Sequence, residues 1–262
     1  MLAADDPAAD LAAIAARLRA AGCVFAEEEA ELLAGAAASA AGLEDMVRRR
    51  AAGLPLEHLL GWAGFCGLRI AVGPGVFVPR RRSELLVRRA AELAVPGVIV
   101  VDLACGSGAI GRAIAQRVPG IELHACDLSP EAVRYARANL APVGGAVYAG
   151  DLYEPLPPGL RGRVAVIAAN IPYVPTEAVA TMPPEARDYE PRLALDGGPD
   201  GLDVLRRAAA GAPGWLRPGG HLLVEAASGQ IARATAELAA AGLDPSVATD
   251  PDLGATVLIG RA

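Results

Sequence analysis

The chain has 262 residues, 53% apolar and 21% charged, which supports a sizeable core and excludes an intrinsically disordered protein. A formal charge of −6 argues against a surface built to follow phosphate backbones. The four cysteines (Cys23, Cys66, Cys105, Cys126) form no CxxC pair and the apolar runs are too short to cross a membrane, so no metal site is expected and reduced thiols in a cytoplasmic protein are.

The opening stretch, MLAADDPAAD, is acidic and lacks the basic-then-apolar order of a secretion signal. Residues 8–52 read as helices, because Leu11, Ile14, Leu18, Leu32, Leu33, Met46 and Val47 recur at helical spacing among alanines. Gly22, Gly35 and Gly42 are the expected breaks. No chemistry is visible here, and the segment is expected to form a small helical domain, drawn at residues 1–64. Between Pro55 and Pro79 the run of Phe65, Gly67, Ile70, Val72 and Val76 predicts a hairpin, with a linker drawn at residues 65–79. Ser83 to Leu93 reads as a helix with Ser83 as its cap. Arg80 to Arg82 read as a solvated charge run.

Strands and helices then alternate through residues 80–262. Strands are expected at Val98–Asp102, Ile121–Cys126, Ala146–Ala149, Val164–Ala169, Gly220–Glu225 and Ala255–Ile259. Helices are expected at Ala109–Val118, Pro130–Leu140, Leu202–Ala210 and Gln230–Ala241. That order means a mostly parallel α/β sheet, with ligands at the carboxyl ends of the strands. The first strand-to-helix turn reads DLACGSGAIG. Gly106 and Gly108 let backbone pass close to a ligand, and Asp127 ends the next strand nineteen residues after Gly108, placed to accept from ribose hydroxyls. Gly106, Gly108 and Gly111 also satisfy the dinucleotide pattern. Three acids at successive strand ends, Asp102, Asp127 and Asp151, favour a cationic sulfonium carrying adenosine over a diphosphate, which carboxylates would repel. S-adenosylmethionine is therefore the expected cofactor; a nicotinamide cofactor and a purely structural loop are the alternatives.

Six blocks together resemble the protein-(glutamine-N5) methyltransferases of the HemK/PrmC type. They are GVFVPRRRSELLV, DLACGSGAIG, ACDLSPEAVRYARANL, GDLYEPL, DYEPRLALDGGPDGLDVLRRA and LRPGGHLLVEAASGQ. The resemblance covers most of the chain. It implies a class I, Rossmann-like methyltransferase with a mostly parallel seven-stranded sheet and a helical N-terminal domain, joined by a β-hairpin, that helps grip a protein substrate. It implies S-adenosylmethionine contacts from Asp102, Ala104, Cys105, Gly106, Ser107, Gly108, Asp127, Leu128, Asp151, Leu152 and Asn170. The sequence departs from the family pattern in places. Asn170-Ile171-Pro172-Tyr173 stands for Asn-Pro-Pro-Tyr, and Ala104-Cys105 for Gly-Thr. Arg81 stands for proline, Ser83 for threonine, and Ala226-Ala227 for Ile-Gly after Glu225.

The turn AANIPYVP follows the strand at Val164. An amide nitrogen is a poor nucleophile, so a site that methylates it must fix both N–H groups and aim the nitrogen. Asn170 can offer its side-chain oxygen, Ile171 its carbonyl, and Tyr173 a stacking ring. Ile171 keeps the carbonyl that a proline would supply, and Pro172 holds Ile171 extended; altered substrate fit is the expected consequence. The alternative is a turn in which Asn170, Pro172 and Tyr173 only pack. Glu190 reads as a structural turn residue, Glu225 as a hydrogen-bonding scaffold, and His58, His124 and His221 as ordinary packed or surface histidines. The leading functional reading is amide methylation of a glutamine in a protein, a class I peptide release factor in the resembled family. A nucleic-acid base amine or a small natural product is the second, with aromatics at only 4% counting against stacked bases. A cofactor-binding protein without turnover is the third.

Overall fold

The protein is described by a computed structural model covering residues 7–262; residues 1–6, within the acidic opening stretch read above, lie outside the described part. Four helices come first: α1 (Pro7–Ala20), α2 (Ala26–Ala36), α3 (Ala40–Ala51) and α4 (Leu56–Leu60). They close over Leu18, Leu33 and Val47, none of which meets solvent. Gly22 breaks the chain as expected, at φ 97°. Gly35 and Gly42 do not. Gly35 lies inside α2, and Gly42 sits in the first turn of α3, where its N–H is capped by the Ser39 hydroxyl at 3.1 Å.

The hairpin pairs β1 (Trp62–Phe65) with β2 (Leu68–Ala71), antiparallel. Its two-residue turn, Cys66-Gly67, has φ of 50° and 75°, the left-handed pair that a tight hairpin needs. After α5 (Glu84–Leu93) the sheet begins. It holds β3 (Ile99–Leu103), β4 (Glu122–Asp127), β5 (Ala146–Ala149), β6 (Val164–Ala169), β7 (Leu216–Glu225), β8 (Asp244–Asp250) and β9 (Ala255–Arg261). The order is β5-β4-β3-β6-β7-β9-β8, with only β9 antiparallel to its neighbours. The order reverses between β3 and β6, which opens a crevice at their carboxyl ends. Helices α6 (Ala109–Arg117) and α7 (Pro130–Leu140) connect the first strands, α8 (Pro184–Tyr189) lies in the long β6–β7 connection, and α9 (Asp203–Gly211) and α10 (Ile231–Ala240) follow.

Neighbouring residues of β3 face opposite layers, as a period of two requires. Val100 joins Leu86, Ile114 and Leu140 on one side; Val101 joins Ile167, Leu205 and Trp215 on the other. Both layers are apolar, so β3 reads as one continuous apolar run. The strand β8 was not expected from the residues. Its sequence DPSVATD has no continuous apolar run, because it is an edge strand covered on one side only. Ser83 also differs from expectation: a 3₁₀ turn over Arg81–Ser83 leads into α5, and the Ser83 side chain caps nothing. Among the described residues no helix is long and apolar enough to cross a membrane, and no His/Cys/Asp/Glu group is placed to hold a metal.

Candidate active site

The loops after β3, β4, β5 and β6 meet in one cleft of about 1110 Å³, its open mouth included. Ala104, Cys105, Gly106, Ser107, Asp127, Leu128, Asp151, Leu152, Asn170 and Pro172 all lie on its wall. The glycine loop is built for close approach. Gly106 has φ 54° and open space where a Cβ would stand; Gly108 has φ 76°, and a Cβ there would press on the Ala136 backbone at 3.2 Å. Ala104 occupies the loop at φ 54°, a conformation that costs a non-glycine residue about 1 kcal/mol or more. Ala104→Gly is therefore expected to stabilise the protein by about 1 kcal/mol, read as a melting temperature higher by about 2–4 °C.

The three acids separate once placed. Asp127 stands on the wall, with one carboxylate oxygen accepting the Gly106 N–H and the other the Ser129 N–H, both at 2.8 Å. Burial raises its pKa against those two hydrogen bonds. Each oxygen keeps a lone pair for a ribose hydroxyl. Asp151 is on the wall too, ion-paired with Arg207 of α9 at 2.6 Å. Asp102 is not on the wall. It is wholly buried beneath the loop, and its carboxylate accepts the Gly111 N–H at 2.7 Å, so it braces the loop from behind. Burial pushes its pKa up to about 8. For a carboxyl raised in the folded state, the stabilising share is complete below the unfolded value near pH 4 and is lost as pH climbs to about 8. Asp102→Asn is expected to flatten this slope: the wild-type melting temperature should fall from pH 5 to pH 8 by several degrees more than that of the variant.

These residues fit S-adenosylmethionine. The wall offers a glycine cradle, ribose acceptors and two apolar flanks, Leu128 and Leu193, each about half exposed at the mouth. Arg207 is the only cation on that wall and is already paired, so the cleft suits a cation better than a diphosphate. Cys105 contributes a buried thiol whose pKa burial raises, which makes it no nucleophile. No histidine lies on this wall.

A second pocket of about 790 Å³ opens on the far side of the NIPY turn. Asn170, Ile171 and Tyr173 form its inner wall; Met182, Pro183, Glu185 and Ala186 face them. Asn170 lines both pockets, as does Phe77 from the segment after the hairpin. Ala194 is the third residue common to both linings, so the two pockets adjoin at Asn170, Phe77 and Ala194.

The Asn170 amide is fixed by a chain of hydrogen bonds. The Glu225 carboxylate, at the end of β7 and 1% exposed, accepts from Ser83 Oγ at 2.6 Å, Arg82 Nε at 2.8 Å and the Tyr173 hydroxyl at 3.1 Å. Ser83 has one hydroxyl proton and gives it to Glu225. It can only accept from Asn170, so the atom 3.2 Å away is Nδ2. That leaves Oδ1 to the pockets. Among the described residues no donor is placed on Oδ1 or on the Ile171 carbonyl. The Ile171 side chain is buried among Leu202, Leu205 and Ala209, so the core takes up the change from proline. Tyr173 is tilted up to Glu225 and lies beneath the Arg82 guanidinium, 5.8 Å from its ring centre. Burial pushes its pKa to about 12, with the Glu225 charge adding to the effect.

The arginines are thus not a solvated run. Arg80 pairs with the buried Glu190, which also accepts the Val78 N–H, and Arg82 pairs with Glu225; Arg81 alone is left unpaired among the described residues. Ser83, Phe77 and Arg207 were missed as site residues. The first two lie in GVFVPRRRSELLV, where the local pattern shows only a helix cap and a charge run and the resemblance alone points to a site.

The Methyltransferase small domain family matches residues 67–182. The chain is 38% identical over 224 residues to the release factor glutamine methyltransferase of Geobacter sulfurreducens, covering 84% of this chain and 78% of that one. It is 43% identical over 187 residues to the protein of the same name from Mycolicibacterium smegmatis, covering 71% and 66%. A solved methyltransferase from Pyrococcus furiosus has the same fold, with a TM-score of 0.56 at 16% identity over 74% of this chain and 89% of that one. By sequence, the chain belongs to the release factor glutamine methyltransferase family, a class that takes its methyl group from S-adenosylmethionine.

Proposed function

We propose that this protein methylates the side-chain amide nitrogen of a glutamine in a peptide release factor. The observation that carries the reading is the position of Asn170 on the partition between two pockets, with Nδ2 occupied by Ser83 and Oδ1 free. S-adenosylmethionine, when bound, supplies an electrophilic methyl group on a cationic sulfur. Gly106 and Asp127 would hold its nucleoside end, with Leu128, Leu152 and Leu193 as the apolar part of that wall. On the other side, Asn170 Oδ1 and the Ile171 carbonyl each accept one N–H of the acceptor amide. Both bonds strengthen as positive charge grows on nitrogen, so they favour the transition state over the ground state. Phe77 and Tyr173 confine the planar group between rings and keep water from the nitrogen. As the N–CH₃ bond forms, the S–CH₃ bond would break with its electron pair left on sulfur, giving neutral S-adenosylhomocysteine, and the nitrogen would lose one N–H proton to solvent as the product departs.

A labelling experiment tests this. The protein is incubated with methyl-labelled S-adenosylmethionine and, separately, a class I release factor, the same factor with its Gly-Gly-Gln glutamine replaced by alanine, and ribosomal RNA. Label in the first sample alone supports the reading. Equal label in the alanine variant, or label in RNA, overturns it.

A further inference from the structure

We infer that Arg50 is a positioning residue for the acceptor: it clamps α8 against the helical domain, so that the outer wall of the acceptor pocket is set from outside the catalytic sheet. The inference rests on the acceptor reading of the second pocket. The inner wall of that pocket is fixed at the end of β6. The outer wall is the chain that enters and opens α8, from Met182 to Ala186. Helix α8 has six residues, buries only Ala186 and has no side-chain cap. A helix that short does not hold its place by itself.

Three contacts hold it. Arg50 Nη1 donates to Glu185 at 2.5 Å, the Tyr189 hydroxyl donates to the Ala52 carbonyl at 3.0 Å, and Glu190 accepts from Arg80 and the Val78 N–H. Two of the three reach the end of α3. Arg50 is 6% exposed and uses four of its five N–H donors: Nε and Nη2 grip Glu29 at 2.5 and 3.0 Å, while Nη1 serves Glu185 and, at 3.3 Å, the Leu54 carbonyl. Burial works to lower its pKa, and the Glu29 and Glu185 carboxylates reverse that and raise it. Glu29 alone balances the Arg50 charge inside the helical domain. Glu185 is half exposed and is not needed for that balance, so its seat on an already paired guanidinium serves the link to α8. A lysine, with one compact ammonium, cannot reach both carboxylates with the same geometry.

Two variants and their double test the clamp. Glu185→Gln removes one half-exposed charge and leaves the buried pair whole, so it folds; Arg50→Lys keeps the buried charge. Each is expected to raise KM for the release factor about 10-fold while affinity for S-adenosylmethionine holds, and the double variant should be no worse than Arg50→Lys alone. Trypsin cleavage after Arg187, inside α8, should quicken about 10-fold in each. Penalties that add would show Glu185 acting directly on the acceptor and overturn the inference, as would an unchanged KM together with unchanged cleavage. If the wild-type protein labels no release factor, the acceptor reading fails. The cleavage rate then still decides the clamp: faster cleavage supports it and an unchanged rate overturns it.

Discussion

Asn170→Ala is expected to lower kcat for amide methylation by about 10²–10³-fold, the size seen when one preorganised hydrogen-bond partner of a transition state is removed. The binding steps should change far less. On the proposed reading, Asp127 and Gly106 hold the cofactor in the first cleft, and Phe77, Tyr173 and the α8 wall of the second pocket still enclose the acceptor. The loss belongs in kcat because Oδ1 acts mainly when charge develops on nitrogen. Asn170→Asp should be nearly as damaging although it keeps an oxygen in place. It removes the Nδ2 donor from Ser83 and sets a second carboxylate beside the Ser83–Glu225 pair. Rapid-quench and steady-state kinetics with a release factor, alongside cofactor titration, check both variants.

Glu225→Ala is expected to cost about 3 kcal/mol of stability and to lower kcat as well. The carboxylate is buried and gathers three donors from two distant parts of the chain: Arg82 and Ser83 of the 3₁₀ turn before α5, and Tyr173 of the NIPY turn. Its removal strands the Ser83 and Tyr173 hydroxyls, while Arg82, partly exposed, can turn to water. At this chain length the melting temperature should fall by about 6–12 °C. The Ser83 proton, no longer drawn to Glu225, is free to point at Asn170, and the amide can turn over. The kinetic effect should therefore resemble a weaker Asn170 variant, with kcat down about 10-fold and affinity for S-adenosylmethionine held. Glu225→Gln should recover much of the stability and only part of kcat, since it still accepts from Ser83 but has lost the charge that holds Arg82. Thermal melting and kinetics on the same preparations separate the two effects.

Much of this was legible in the residues. The strands at Val98, Ile121, Val164 and Gly220 show because they are buried on both faces and read as apolar runs. The cofactor loop shows because a ligand-hugging turn needs glycine at Gly106; Gly108, expected to contact the cofactor as well, is off the cleft wall and is glycine because α7 packs against it at Ala136 and Leu140. What failed to show depends on partners distant in sequence. Ser83 reads as a helix cap, since Ser before Glu-Leu-Leu has that local pattern; its true partner, Glu225, is 142 residues away. Arg80 and Arg82 read as solvated because their carboxylates lie beyond residue 189. Asp102 reads as a ligand contact because strand-end acids often are, and only burial tells it from Asp127. The strand β8 escaped because an edge strand alternates weakly. Arg50 sat within three arginines, and only the fold separates the buried one from Arg48 and Arg49, which pair with Asp45.

The most direct measurement is a crystal structure of the protein with S-adenosylhomocysteine and a peptide bearing the Gly-Gly-Gln loop. The glutamine Nε2 is expected within about 3.2 Å of both Asn170 Oδ1 and the Ile171 carbonyl, with its free face toward the sulfur. A glutamine amide held by other groups, with Asn170 Oδ1 turned to Ser83, would contradict it.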